Sequence, residues 1–231
     1  MAPEGETLCA MRMPPQTAFI FDLDDTLVLS RIDFLAVRHR LIDLLHSDGR
    51  ATEPRDLLLT RSLADLVAQG AAVDPALEAQ MWDLIREAEI QGLSRATLAP
   101  GAVDVLQELR RRDHGIALLT NTSRSGLMDR LQTWGLAPYF DVIATRDDVP
   151  ALKPHPAGLS YVLAHLPPVR AAYLVGDAWI DAQAAREANV RFIGIGGKRA
   201  TIEARGLPIW AWIAELGDLL RLEVSAPEAG R

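Results

Sequence analysis

Lysine is nearly missing from this 231-residue chain: of 24 basic residues, only Lys153 and Lys198 are lysines. Arginine serves almost everywhere else that a positive charge is wanted. Cysteine is as scarce. One thiol, Cys9, excludes an internal disulfide and a cysteine-rich zinc site. The histidines (His39, His46, His114, His155 and His165) are scattered, and no His-x-x-x-His pair suggests a metal-binding helix. No apolar run approaches the roughly 18 residues that a membrane span needs. A basic surplus is lacking too. The net charge is -7 and the pI about 5.2, which argues against a nucleic-acid binder. The first 16 residues, MAPEGETLCAMRMPPQ, have no continuous apolar core and do not read as a signal peptide. They read as a ragged leader, within which Met11 or Met13 offers an alternative start. The tail SAPEAGR (225–231) is expected to fray. A cytoplasmic protein is the expectation.

Apolar residues are plentiful, at 49% of the chain. They recur in short β-forming runs that end in small or polar residues: AFIFDL (18–23), GIALLTN (115–121), DVIATR (141–146), AAYLVGD (171–177) and RFIGIGG (191–197). After residue 100, helical patterns lie between these runs, at 101–113, 123–135, 156–166 and 179–190. Ser123 is placed to cap the second of these, and Gly135 to end it. Nearly all-apolar strands alternating with helices predict a parallel sheet covered on both faces. The stretch from 31 to 95 breaks the rhythm, because three amphipathic helical patterns follow one another with no strand between them. The expected division is an α/β core over 17–29 and 97–231, with a helical insert over 30–96. Residues 27–30 and 94–100 form its two connections. No internal repeat or low-complexity segment interrupts this plan.

Residues 22–26 read DLDDT, three aspartates within four positions at the end of a hydrophobic strand. Like charges this close repel, and burying them without a partner is costly. Ligands of open parallel sheets bind at the carboxyl ends of the strands. Those ends carry Asp22, Asp24 and Thr26, then Thr120 and Asn121, then Asp177 with Asp181 one helical turn on. The loop after the third run brings Lys153. Three carboxylates at strand ends make a hard oxygen site suited to Mg²⁺. Lys153 adds a point charge, Thr120 a hydroxyl, and the turn at 121–123 backbone N–H groups. Such a set suits phosphoryl transfer, and a divalent cation would explain the crowding of the acids.

Taken in order, DLDDT (22–26), LLTN (118–121), LKP (152–154) and GDAWID (176–181) resemble the four motifs of the haloacid dehalogenase superfamily. The match spans about 18–197. The insert after the first motif resembles that family's C1-type cap, and the chain is most similar to phosphoglycolate-phosphatase-like hydrolases. The resemblance implies an aspartyl-phosphate mechanism. Asp22 would be the nucleophile. Asp24 would protonate the leaving group and then activate water. Thr120, Asn121 and Lys153 would bind the phosphoryl group. Asp22, the carbonyl of Asp24, and Asp177 would hold Mg²⁺, with Asp181 and Thr26 in support. Departures are mild: Asp25 stands where many relatives have glycine, Ala178 where serine is common, and Ile180 where a polar residue is common.

Each motif alone has a plainer reading. DLDDT could be an acidic turn, LLTN a strand-ending turn, and GDAWID a helix start capped by Asp177. Lys153 could be a surface lysine, although its retention where arginine dominates suggests a site needing a compact ammonium. Lys198 is expected at the surface, and GIGGKRA is no Walker A loop because Phe192 sits where its first glycine belongs. In the insert, Arg31, Asp33, Arg38, His39 and Arg61 are candidates to face the substrate, against the plainer reading of a solvated helix face. Trp179 is expected to pack in the core.

The leading expectation is therefore a Mg²⁺-dependent phosphatase for a small phosphorylated metabolite, with no nucleic-acid or membrane partner and an open oligomeric state. Asp24 argues against a dehalogenase, which lacks that second aspartate. Residues 27–99 contain no lysine, which argues against a phosphonoacetaldehyde hydrolase with its cap lysine. A phosphosugar mutase of the β-phosphoglucomutase type shares all four motifs and stays open. So does a non-catalytic binding protein on the same fold.

Overall fold

A computed structural model describes residues 17–47 and 53–223. The leader with Cys9, and the tail at 225–231, lie outside them. In chain order the elements are β1 (Thr17–Phe21), β2 (Val28–Leu29), α1 (Phe34–His46), α2 (Arg55–Leu58), α3 (Leu63–Val73), α4 (Pro75–Ser94) and β3 (Thr97–Leu98). They continue with α5 (Ala102–Arg111), β4 (Gly115–Leu119), α6 (Arg124–Thr133), β5 (Val142–Ala144), α7 (Ala157–His165) and β6 (Ala171–Gly176). The last are α8 (Trp179–Glu187), β7 (Arg191–Ile195), α9 (Arg199–Glu203) and β8 (Ala211–Ile213).

Six strands form one parallel sheet in the order β5-β4-β1-β6-β7-β8. It is the α/β architecture that the alternation predicts. The apolar runs are continuous because both faces are buried. Phe19, Phe21, Ile116, Leu118 and Val175 point to one side, against α5 and α6. Ala18, Ile20, Ala117, Leu119 and Leu174 point to the other, against α7 and α8. The central β1 has β4 on one flank and β6 on the other. The crevice at their carboxyl ends is thus a topological switch point. The edge strand β8 has no counterpart among the predicted runs. Its three residues are too short to give a periodic signal.

Helices α1 to α4 pack their own apolar cluster, including Val37, Leu41, Ile42, Leu66, Met81 and Ile85. The middle helical pattern is broken at 59–62, where Ser62 and Asp65 form a capping box that starts α3. The two connections pair as the short antiparallel ribbon β2–β3. Ile32 packs so closely on Gly92 that a Cβ there would lie 2.4 Å from an Ile32 side-chain carbon. Leu93, at the end of α4, joins the sheet's cluster rather than that of the helices. Among the described residues no helix is long and apolar enough to cross a membrane.

Candidate active site

Buried polar side chains gather at the carboxyl edge of the sheet: Asp22, Thr26, Thr120, Thr122, Lys153, Asp177 and Asp181 are all at most 7% exposed. Asp22 follows β1, and its N–H donates to the Val175 carbonyl, 2.9 Å away. The chain then turns sharply, with the N–H groups of Thr26, Leu27 and Val28 all donating to the Leu23 carbonyl. Asp25 takes φ of 56° in this turn, where glycine would cost less. The turn brings Asp24 back toward the site. Its Oδ2 accepts a hydrogen bond from Thr122 Oγ1 at 2.8 Å, while its Oδ1 is buried without a partner. Thr26 Oγ1 is likewise buried and unpartnered.

Lys153 is 2% exposed, and its ammonium donates to Asp22 Oδ1 at 2.5 Å, Asp181 Oδ1 at 2.6 Å and the Leu119 carbonyl at 3.1 Å. The lysine predicted to bind phosphate therefore stands between two carboxylates of the predicted site. Asn121 ties its loop down. Its side chain donates to the Lys153 carbonyl at 2.8 Å and accepts from the Lys153 N–H at 3.0 Å. That amide is occupied in joining two loops, and in the same turn the N–H groups of Thr122 and Ser123 are taken by Thr120 Oγ1 and Glu89 Oε2. Thr120 Oγ1 accepts the Thr122 N–H at 3.0 Å. Asp181 Oδ2 accepts the Ala178 N–H at 3.1 Å, so Ala178, not Asp177, is the N-cap of α8. Asp181 also presses on Gly176, where a Cβ would lie 2.7 Å from its carboxyl carbon. This close approach is why glycine precedes Asp177.

Oxygens of Asp22, Asp177 and Asp181 lie within 4.8 Å of one another. Opposed oxygens of an octahedral Mg²⁺ are separated by about 4.2 Å, twice the usual bond length, so the cluster is of fitting size. Its charge fits too. Among the described residues, the cations facing Asp22, Asp24, Asp25, Asp177 and Asp181 are the ammonium groups of Lys153 and Lys198. Burial pushes Asp22 well above the ordinary carboxylate range. Lys153 opposes the rise, and the charges of Asp181, Asp24 and Asp177 add to it. Burial also raises Asp24 to about 6, against the Thr122 hydrogen bond, and Asp177 to about 6, against Lys198. Burial alone would lower Lys153, but Asp181 and Asp22 outweigh it and hold it firmly charged.

Two features depart from the sequence reading. Lys198 has a half-exposed side chain, as a surface lysine would. Yet its ammonium bonds to Asp177 Oδ2 and lies 3.5 Å from Asp25 Oδ2. Ser123 sits at the N-cap of α6 but does not cap it. Its hydroxyl donates instead to Glu89 Oε2 at 2.8 Å. Glu89, only 3% exposed, is absent from the predicted set. The signal was present. It falls four residues after Ile85 and four before Leu93, a core position of an amphipathic helix filled by a carboxylate.

The insert candidates have various partners. Asp33 caps α1 through the Ala36 N–H at 2.9 Å, Arg61 pairs with Glu53 at 2.9 Å, and His39 meets Arg55 at 3.3 Å. Arg31 is exposed. Arg38 Nε is buried without an acceptor. Trp179 packs against the sheet, with Arg205 4.1 Å over its ring.

The model of the haloacid dehalogenase-like hydrolases matches residues 19–195. This chain belongs to that family. A phosphoglycolate phosphatase of Cereibacter sphaeroides (strain ATCC 17025 / ATH 2.4.3) is 31% identical over 214 residues, covering 87% of this chain and 96% of the relative. Phosphoglycolate phosphatase 1 of Pseudomonas aeruginosa is 32% identical over 200 residues, covering 81% and 71%. Among solved structures, a haloacid dehalogenase-like hydrolase from Bacteroides fragilis aligns with a TM-score of 0.66 at 23% identity, covering 89% of this chain and 99% of that one. A hydrolase from Pseudomonas syringae gives 0.66 at 21% identity, covering 89% and 97%. These structures share the fold. The family member is an enzyme of the phosphoric monoester hydrolase type, in agreement with the motif order.

Proposed function

We propose that this family member is a Mg²⁺-dependent phosphatase for a small, phosphoglycolate-like phosphomonoester, working through a phosphoryl group carried on Asp22. The observation that carries the reading is the ammonium of Lys153 bonded at once to Asp22 and Asp181, with Asp24 poised two residues from the nucleophile. Asp22, the Asp24 carbonyl and Asp177 would hold Mg²⁺, with Asp181 and Thr26 behind them. When bound, the ion supplies positive charge that offsets the phosphate dianion and the clustered acids.

The chain's own groups do the rest. An Asp22 oxygen attacks phosphorus as the bond to the ester oxygen breaks, and Asp24 gives its proton to that leaving oxygen. Asp24, now a carboxylate, takes a proton from a water that attacks the same phosphorus. Phosphate departs and Asp22 is regenerated. A carboxyl raised to about 6 can hold or release a proton near neutrality, as both halves require. Lys153, Thr120 and the Asn121 N–H hold the transferring oxygens, since the N–H groups of Thr122 and Ser123 are engaged by Thr120 Oγ1 and Glu89 Oε2.

The insert covers the carboxyl edge. Glu89 reaches the loop after β4, Arg146 after β5 reaches Glu89, and Arg205 after β7 donates to the Thr60 carbonyl at 3.3 Å. We read it as a cap that admits small esters and excludes folded proteins. A screen over phosphoglycolate, sugar phosphates, nucleotides, pyrophosphate and amino-acid phosphates should give turnover of a small ester and none of a folded phosphoprotein. Comparable rates on a phosphoprotein would contradict the cap. Conversion of a sugar 1-phosphate to its 6-phosphate without phosphate release would mark a mutase.

Metal dependence has a pH signature. The carboxyl of Asp177 is raised in the fold, so its contribution to stability is full below about pH 4 and is lost as pH rises through about 6. That loss is at most ~3 kcal/mol at neutral pH, and Mg²⁺ should offset it. His114 is pushed down, chiefly by burial, and works in the opposite direction. It does so equally with and without metal, so it cancels in the difference. The rise in melting temperature on replacing EDTA with Mg²⁺ should be several degrees at pH 7.5 and nearly absent at pH 5. EDTA should abolish turnover, and Mg²⁺ but not Ca²⁺ should restore it, because Ca²⁺ prefers more ligands and looser geometry. A shift independent of pH, or full activity in EDTA, would remove the metal from the site.

A further inference from the structure

Glu89 lies on α4, outside the sheet, yet all its partners are at the sheet's carboxyl edge. The Arg146 guanidinium grips it with both terminal nitrogens, at 2.7 and 3.1 Å, and Ser123 donates to it through Oγ at 2.8 Å and N–H at 3.3 Å. Both charges are buried, with side chains 10% and 4% exposed for Arg146 and Glu89. Arg146 also donates to the Asn121 carbonyl at 3.3 Å through its side chain and to the Thr122 carbonyl at 3.1 Å through its backbone. The ring of Trp82, one more α4 residue, lies 4.7 Å beneath its guanidinium. The turn 121–123 is therefore held on every residue by this one pair. The same turn carries the Thr122 hydroxyl that fixes Asp24, and the Asn121 side chain that clamps Lys153.

Stability alone does not call for such a pair. A buried ion pair can often be replaced by apolar residues of similar volume without loss. What apolar residues cannot do is orient a carbonyl and an N–H on adjacent residues of a turn. A guanidinium fork locked by a carboxylate does both. We propose that Glu89 and Arg146 are positioning residues of the reaction, setting the 121–123 turn so that Thr122 holds Asp24 at the leaving oxygen. This rests on the reading of Asp24 as the proton donor. It adds a residue from the inserted helix to the machinery of the core.

The test is the double variant E89M/R146M, which removes both charges together and should melt within a few degrees of the wild type. With an alkyl phosphate, whose leaving oxygen needs a proton, kcat/KM should fall about a hundredfold. With p-nitrophenyl phosphate, which needs little protonation, the fall should be at least several times smaller. Amide exchange at 121–123 should accelerate about tenfold or more. R146K keeps the buried charge paired with Glu89 but loses the two-nitrogen fork, and should show the same pattern at about a tenth of the size. It carries the test if the double variant does not fold. A merely structural pair would lower the rates on both esters alike, or neither. Equal deficits, or wild-type kcat/KM in a folded variant, would overturn the proposal. A wild-type enzyme inactive on both esters would instead sink the phosphatase reading. In that case the exchange at 121–123, unchanged in the variants, would overturn the positioning role separately.

Discussion

Lys153→Met should remove detectable turnover and destabilise the fold by about 3–5 kcal/mol at pH 7.5. Methionine is close in length to the buried lysine stem, so packing is nearly conserved. What is lost is the charge. Asp22 and Asp181 each give an oxygen to the Lys153 ammonium, at 2.5 and 2.6 Å, in a site where the lysine side chain is 1% exposed. Without it two carboxylates stand buried with no counter-ion between them. The cost should shrink toward pH 5, because Asp22, already raised by burial, can then take up a proton. It should shrink again with saturating Mg²⁺ at neutral pH. Activity should not return in either condition, because a protonated Asp22 is no nucleophile and the phosphoryl oxygens lack their ammonium. Urea unfolding at two pH values, with and without Mg²⁺, measures the first part. A variant as stable as the wild type at pH 7.5 would mean that the ammonium is not what holds the two acids together.

Asp24→Asn should separate the two halves of the reaction. The amide keeps the Thr122 contact but can neither donate the carboxyl proton nor take one from water, a loss of roughly 10²–10⁴ in rate. With an aryl phosphate the first half needs little proton donation. The second half, hydrolysis, needs the base in full. The variant should therefore release about one phenolate per site in a burst and then turn over slowly. A uniformly slow release without a burst would mean that Asp24 limits the first half as well. The hydrogen bond from Thr122 at 2.8 Å and the unpartnered Oδ1 support assigning this part to Asp24 rather than Asp25. Asp25 turns away into the left-handed bend and lies 3.5 Å from Lys198.

How much of this was legible in the sequence depends on how far apart the partners lie along the chain. Asp22, Asp24, Thr120 and Asp177 stand at the ends of strong apolar runs and Lys153 in the loop that follows another, so the strand pattern placed them on one edge. The parallel sheet followed from runs that are apolar on both faces. The short edge strand β8 did not, since three residues carry no period. Lys198 was read as a surface residue because its stem is one. Only the fold brings its head to Asp177. Glu89 and Arg146 are 57 positions apart, and nothing local to either announces the pair. The buried-face position of Glu89 was the one available sign. Ser123 has the right residue type and place for a helix cap, and its hydroxyl is diverted by a carboxylate from another element.

The central claim is that Asp22 carries the phosphoryl group. Asp24→Asn enzyme mixed with an aryl phosphate and Mg²⁺, quenched in acid within the burst and digested, should yield one phosphorylated peptide, with the phosphate on Asp22 by mass spectrometry. Asp22→Asn treated in the same way should yield none, with no burst and no turnover. Phosphate trapped on any other residue, or a burst that persists in Asp22→Asn, would contradict the account.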